Sequence, residues 1–167
     1  MIYYISGGER SGKSGYAQKL ALSLSDSPIY LATARQWDGD FKKRVDRHVA
    51  DRDDRWTTIE EEKHLSKLDI SGKVVVLDCI TLWLTNWYVD TKNNVDECLE
   101  KCKQELSTLF KQNSTLIIIS NEIGMGLHAQ TDVGRKFTEL QGWMNQFIAH
   151  QADKAFFMVS GLPLILK

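Results

Sequence analysis

Gly7-Gly8-Glu9-Arg10-Ser11-Gly12-Lys13-Ser14 is the stretch on which the fold of this chain turns. It fits the pattern G-x-x-x-x-G-K-[ST], with Gly7, Gly12, Lys13 and Ser14 in the fixed places. Ile2-Tyr3-Tyr4-Ile5-Ser6 before it is β-branched and aromatic, as a buried strand requires. Tyr16–Leu22 after it suits a helix. Strand, glycine loop and helix in that order are the context in which the motif cradles phosphates. Glycines let backbone N–H groups turn inward where a Cβ would crowd the ligand. The helix starting near Lys13 adds the positive end of its dipole. Lys13 can reach the β- and γ-phosphates, and Ser14 can offer its hydroxyl to Mg²⁺. The loop points to a nucleoside triphosphate without specifying the base or the acceptor. The alternative is a glycine turn that only joins strand to helix.

Working outward, Pro28–Ala34 predicts a second buried strand, because parallel strands covered on both faces read as near-continuous apolar runs. Asp38 can cap a charged helix over Asp40–Asp51. Trp56–Glu60 suggests a short strand and Glu61–Leu68 a short helix. Lys73–Asp78 is the clearest central strand. Asp78 ends it, and two roles are open: a Mg²⁺ ligand downstream of the phosphate loop, or a cap for the next helix. Cys79–Val89 continues as an apolar helix or loop, and Asn93-Asn94 as a turn. Val95–Gln112 is an amphipathic helix and Thr115–Ser120 a buried strand. The loop through Gly124-Met125-Gly126 leads to Asp132, a candidate cap for a helix reaching Ala152. Lys154–Ser160 is another strand. After a turn at Gly161-Leu162-Pro163, Leu164–Lys167 forms a terminal strand suited to antiparallel pairing. The alternation predicts an α/β fold over residues 1–167, with a mostly parallel sheet, helices on both faces and a short antiparallel C-terminal hairpin. The phosphate loop and several strand ends then share one sheet edge.

The 167 residues favour one domain with a substantial core. With 21 basic and 22 acidic residues the net charge is −1, which gives no broad electrostatic case for nucleic acid. Cys79, Cys98 and Cys102 make no disulfide framework and read as reduced thiols. No apolar run is long enough to span a membrane, and no charged-then-apolar leader precedes strand one, so a cytoplasmic protein is expected.

A second informative segment is Phe41–Trp56. Helical spacing puts Arg44, His48 and Arg52 on one face. Arginines press a histidine between them towards its neutral form, a competent nucleophile or base, and can hold phosphate oxygens. The competing reading is a solvated helix laced with ion pairs among Arg44, Asp51, Arg52 and Asp54. Trp37, Trp83, Trp87 and Trp143 are candidates for a ligand face, with core or interface packing as the default.

The phosphate loop, Arg44–His48–Trp56, Asp78-Cys79-Ile80-Thr81-Leu82-Trp83, Ser120-Asn121-Glu122-Ile123-Gly124-Met125-Gly126, Asn145 and Gly161-Leu162-Pro163-Leu164 occur in an order and spacing that resembles a known family. It is the bifunctional adenosylcobinamide kinase/adenosylcobinamide-phosphate guanylyltransferase family of cobalamin biosynthesis. The likeness covers essentially the whole chain. It implies a RecA-like P-loop fold, Mg²⁺, and both ATP and GTP as substrates. It further implies a homotrimer and two reactions at one nucleotide site. In the first, adenosylcobinamide is phosphorylated; in the second, GMP passes from GTP through a guanylyl-histidine to give adenosylcobinamide-GDP. His48 matches the guanylylated position. Nucleotide contacts carried over by the same match are Gly7, Gly8, Glu9, Arg10, Ser11, Gly12, Lys13, Ser14, Ala32, Thr33, Ala34, Val49, Ala50, Asp51, Arg52, Glu60 and Leu82, with Arg44 supporting the phosphates and Ser14 and Asp78 holding the metal. Three positions depart from the family's pattern: Glu9 inside the loop, Leu127–Asp132 without a valine-proline step, and Arg47 where some members carry a second histidine. A monofunctional small-molecule kinase and a nucleotide-binding switch with little catalysis are the alternatives.

Overall fold

The computed structural model describes residues 1–35 and 53–167. Its strands are β1 (Ile2–Gly7), β2 (Ile29–Ala32), β3 (Thr57–Glu60), β4 (Val74–Asp78), β5 (Thr115–Ile119), β6 (Lys154–Val159) and β7 (Leu162–Ile165). Its helices among the described residues are α1 (Lys13–Leu24), α2 (Ile80–Asp90), α3 (Val95–Leu109) and α4 (Asp132–Gln151), with a 3₁₀ turn at Leu65–Lys67. The seven strands form one sheet in the order β3-β2-β4-β5-β1-β6-β7. Every pairing is parallel except the closing β6–β7 hairpin, which is antiparallel as expected.

Alternation along the strands feeds two cores. Tyr3, Ile5, Val76, Ile117, Ile119 and Met158 face α1, which meets the sheet with Ala17 and Ala21. Those small residues let the helix that starts at the phosphate loop lie close to the strands. Tyr4, Leu31, Val75, Leu77, Leu116 and Ile118 face the other side, with Trp83, Leu106, Met144 and Ile148 from α2, α3 and α4. Each fully buried aliphatic side chain here contributes about 1.5–3 kcal/mol, which is what keeps both faces of the sheet covered.

α3 buries Cys98, Cys102, Leu106 and Leu109, and its other face is charged. Asn94 caps it by accepting from the Glu97 N–H at 3.0 Å. The helix ends at Leu109 rather than at Gln112. The cap of α4 is Thr131, whose hydroxyl oxygen accepts from the Gly134 N–H at 3.1 Å, so Asp132 is the first helical residue and not the cap. Glu61–Leu68 does not form the expected helix. The Glu61 carboxylate accepts from the N–H groups of Lys63 and His64, both at 2.8 Å, and this local turn competes with helix formation. β7 begins at Leu162, so the tight turn is Ser160-Gly161. All three cysteines are buried free thiols. Trp83 and Trp87 are core residues, whereas Trp143 is 43% exposed. No helix among the described residues is long and apolar enough to cross a membrane. Trp37, Asp38 and the helix expected over Asp40–Asp51 lie outside the described residues.

Candidate active site

β1 delivers the chain into the phosphate loop at Gly7, and α1 receives it at Lys13. Gly12 has φ +97° and Arg10 φ +54°, both in the left-handed region. The glycines answer to neighbours as well as to phosphates. A Cβ on Gly7 would lie 2.6 Å from the Met158 carbonyl oxygen, and one on Gly12 would lie 2.9 Å from Gly161 Cα. β6 and the hairpin turn therefore press on the loop from behind. The Gly161 N–H donates to the Ser11 carbonyl at 2.9 Å and fastens the two together. Gly8, Glu9 and Arg10 are exposed at the loop's tip. Ser11 is buried, and its hydroxyl has no hydrogen-bond partner.

Lys13 is 93% withdrawn from solvent for a charged residue, at 7% exposure, and its ammonium donates to the Gly8 carbonyl at 2.6 Å. Desolvation lowers its pKa, and the charges of Asp78 and Glu9 oppose that shift. Burial, with Asp78 beside it, pushes the Cys79 thiol up to about 12, so it stays uncharged near neutrality.

Asp78 ends β4 next to the loop. One carboxylate oxygen accepts from Ser14 Oγ at 2.9 Å and from the Tyr30 hydroxyl at 2.7 Å. α2 begins at Ile80 with Cys79 as its N-cap, and no side chain caps it. Of the two roles open from sequence, capping is therefore not the one the fold uses. The hydroxyl of Ser14 and the carboxylate of Asp78 are hard oxygen donors. Among the described residues no group of three or more His, Cys, Asp or Glu side chains gathers. That donor set suits Mg²⁺, which takes one or two protein oxygens and completes its shell with phosphates and water.

Ala32–Ala34 leaves β2 at the same sheet edge. Thr33 is fully buried, and all its polar groups are spent inside the fold. Its hydroxyl donates to the Cys79 carbonyl at 2.8 Å and accepts from the Cys79 N–H at 3.0 Å. Its own N–H donates to the Asp78 carbonyl at 3.2 Å, and its carbonyl accepts from Asn86 at 2.8 Å. Thr33 thus locks the position of Asp78, while Ala32 and Ala34 beside it are partly exposed. Leu82 packs at the start of α2 against the core that holds Ala17 and Cys79. Glu60 is exposed at the end of β3, the edge strand, separated from β1 by β2, β4 and β5. Arg44, His48, Val49, Ala50, Asp51 and Arg52 lie outside the described residues. The described chain resumes at Asp53, which pairs with Arg55 at 2.6 Å, and Trp56 then meets Tyr30 edge-on at 6.2 Å between centroids.

Sequence reasoning missed three parts of this edge. Tyr30 is one, because a tyrosine within an apolar strand reads as core. A second is the cluster at Arg35, which donates to both oxygens of Asp90 at 2.9 and 3.0 Å and to Glu62 at 2.7 Å, while Lys63 reaches Asp90 at 2.7 Å. Hydrogen bonds from Arg35, then Lys63, hold the Asp90 carboxyl well below the usual range. The third is a buried polar network where β5 ends. Ser120 Oγ donates to Asn145 Oδ1 at 2.6 Å, and Gln141 Nε2 donates to both at 2.9 Å. A signal for it was present: Gln141 and Asn145 stand four apart on the stripe that also carries Leu140, Met144 and Ile148.

Residues 3–166 match the family model described as cobinamide kinase / cobinamide phosphate guanyltransferase. The bifunctional adenosylcobalamin biosynthesis protein CobP of Pseudomonas aeruginosa is 36% identical over 171 residues, covering 98% of this chain and 95% of that protein. The bifunctional adenosylcobalamin biosynthesis protein CobU of Escherichia coli K12 is 30% identical over the full length of both. Among solved structures, the flagellar accessory protein FlaH of Methanocaldococcus jannaschii superposes with a TM-score of 0.49 and 18% identity, over 99% of this chain and 77% of that one. A sequence match running almost from end to end, on a chain that builds its phosphate loop beside Asp78 in this way, shows that this chain belongs to the cobinamide kinase / cobinamide phosphate guanyltransferase family.

Proposed function

We propose that this chain phosphorylates a hydroxyl on the aminopropanol arm of adenosylcobinamide with a nucleoside triphosphate. It then transfers GMP from GTP, through a guanylyl-histidine on His48, to adenosylcobinamide phosphate, giving adenosylcobinamide-GDP. One observation carries the reading: Lys13 and the Ser14–Asp78 contact stand at a phosphate loop within a chain matched along almost its whole length by this family.

In the first reaction the loop amides and Lys13 bind the β- and γ-phosphates, and catalysis is positioning plus charge stabilisation. Ser14 and Asp78 are the residues that would hold Mg²⁺, which when bound offsets charge on the β- and γ-oxygens. Burial of Lys13 away from water strengthens its pull on the phosphates it meets. The phosphoryl donor in this reading is a nucleoside triphosphate, ATP or GTP. In the second reaction the His48 imidazole attacks the α-phosphorus of GTP, and pyrophosphate leaves on the side of Lys13 and the loop. The nitrogen–phosphorus bond then passes GMP to the phosphate of the corrinoid, so one difficult displacement becomes two easier ones. Arg44 and Arg52 steady the α-phosphate, and Val49–Asp51, Ala32, Ala34, Glu60 and Leu82 line the rest of the nucleotide. We read the working assembly as a cytoplasmic homotrimer of single-domain subunits.

The test is incubation with GTP labelled at the α-phosphate, followed by peptide mapping. Acid-labile, base-stable label on the peptide carrying His48 is expected. His48→Ala should remove the label and keep most of the acceptor-dependent kinase turnover. An unlabelled but kinase-active wild-type protein would overturn the second reaction and leave a monofunctional kinase. Nucleotide binding without turnover on adenosylcobinamide would leave a switch.

A further inference from the structure

The run Ser120–Gly126 is still without a chemical role, and its placement assigns one. β5 lies between β1, which carries the phosphate loop, and β4, which carries Asp78. Ile119 registers with Ile5 on one side and with Asp78 on the other. Hydrogen bonding to β1 continues past the end of β5. The Ser120 N–H donates to the Ile5 carbonyl and the Glu122 N–H to the Gly7 carbonyl, both at 3.0 Å. The backbone therefore stays extended through Glu122, and side chains keep alternating. Ile117 and Ile119 face α1, and Ser120 faces Asn145 of α4. Asn121 falls on the α1 face, the face of the phosphate loop.

Its main chain is held from both sides. The Asn121 N–H donates to Thr81 Oγ1 at 3.1 Å, and its carbonyl accepts from Asn145 Nδ2 at 3.2 Å. Asn145 is itself fixed by the buried bonds to Ser120 and Gln141. Ser120, Gln141 and Asn145 bond to one another, and Asn145 carries that support to the peptide of half-buried Asn121 and, at 3.5 Å, to Glu122 Oε2, while the buried Gln141 Oε1 has no hydrogen-bond partner. The Asn121 carboxamide, by contrast, has no hydrogen-bond partner among the described residues. A rigid backbone with a free donor beside a phosphate loop is what preorganised charge stabilisation requires.

We propose that the Asn121 carboxamide donates a hydrogen bond to the γ-phosphoryl group during the kinase reaction, with the Ser120–Gln141–Asn145 network setting its position. This rests on the kinase reading above. In that step the acceptor hydroxyl oxygen forms a bond to the γ-phosphorus, and the hydroxyl proton passes to solvent. The bond from the γ-phosphorus to the βγ-bridging oxygen breaks, and its electron pair leaves on the nucleoside diphosphate. Asn121 Nδ2–H stabilises charge on a non-bridging γ-oxygen. Guanylyl transfer reacts at the α-phosphorus and does not need this contact.

The experiment compares both reactions in Asn121→Ala and in the near-isosteric Asn121→Asp, which keeps the shape but loses the donor. Acceptor-dependent kinase kcat should fall on the order of 100-fold in Asn121→Ala, and at least as far in Asn121→Asp. In Asn121→Ala, which adds no charge beside the phosphates, nucleotide KM and the rate of labelling from α-labelled GTP should stay within about threefold of wild type, since the lost contact acts on the γ-phosphoryl group in the transition state. Unchanged kinase turnover in either variant, or equal loss of both reactions in both variants, would overturn the inference. A wild-type protein with no acceptor-dependent turnover would overturn the parent reading, which is a different result from an active wild type beside an unimpaired variant.

Discussion

Replacing Gly12 by alanine tests how the phosphate loop is braced. Gly12 sits at φ +97°, and left-handed backbone costs an L-residue roughly 1–2 kcal/mol. The added Cβ would also lie 2.9 Å from Gly161 Cα, a backbone atom with no flexible end to swing away. Loop and hairpin turn must then separate, which stretches the 2.9 Å bond from the Gly161 N–H to the Ser11 carbonyl, itself worth about 1 kcal/mol. Together these give a loss of about 2–3 kcal/mol. Urea unfolding at 25 °C reads it as a lowered midpoint at unchanged slope. Gly8→Ala is the matched control: nothing lies within 4 Å of the Cβ it would gain, so its stability should stay within about 0.5 kcal/mol of wild type. A Gly12→Ala midpoint equal to wild type, or equal losses in both variants, would refute the brace.

Gly142 lies inside α4 with nothing within 4 Å of an added Cβ, so Gly142→Ala should raise stability by about 0.5–1 kcal/mol in the same urea assay. Asp90 carries a lowered folded pKa, so its contribution is full above the unfolded carboxylate value near ~3.9 and is lost as pH falls through the folded value. Asp90→Asn should therefore cost about 1 kcal/mol at neutral pH, a cost that shrinks in acid. Urea midpoints at several pH values would expose a constant gap, which is the contrary result.

Much of the architecture was legible because local and tertiary preferences agree. Val74–Leu77 and Leu116–Ile119 are continuous apolar runs, and they became the strands buried on both faces. The phosphate loop carried its own context. Legibility failed where a single side chain chose between partners. Asp78 had two reasonable roles in sequence, and only the fold removes the capping one, by making Cys79 the N-cap and turning the Asp78 carboxylate to Ser14 and Tyr30. Glu61 looked like a helix starter, yet its carboxylate closes a turn on Lys63 and His64. Thr33, read in sequence as a member of a binding run, also hooks β2 to β4, a role that depends on strand order rather than on neighbouring residues. Gln141 and Asn145 sat in view on an apolar stripe, but their partner Ser120 is more than twenty residues away along the chain.

Because all strands but the last run the same way, the molecule has two unlike rims. One gathers the phosphate loop, Asp78, Thr33 and Asn121. Among the described residues the opposite rim carries turns around Ser25–Ser27, Ser71-Gly72 and Asn113, sewn together by bonds such as Gly72 N–H to the Asn113 carbonyl at 2.6 Å. That rim is the natural place for a dye, a tether or a fused partner, since a label on Ser27 or Ser71 stands a full strand length from the chemistry.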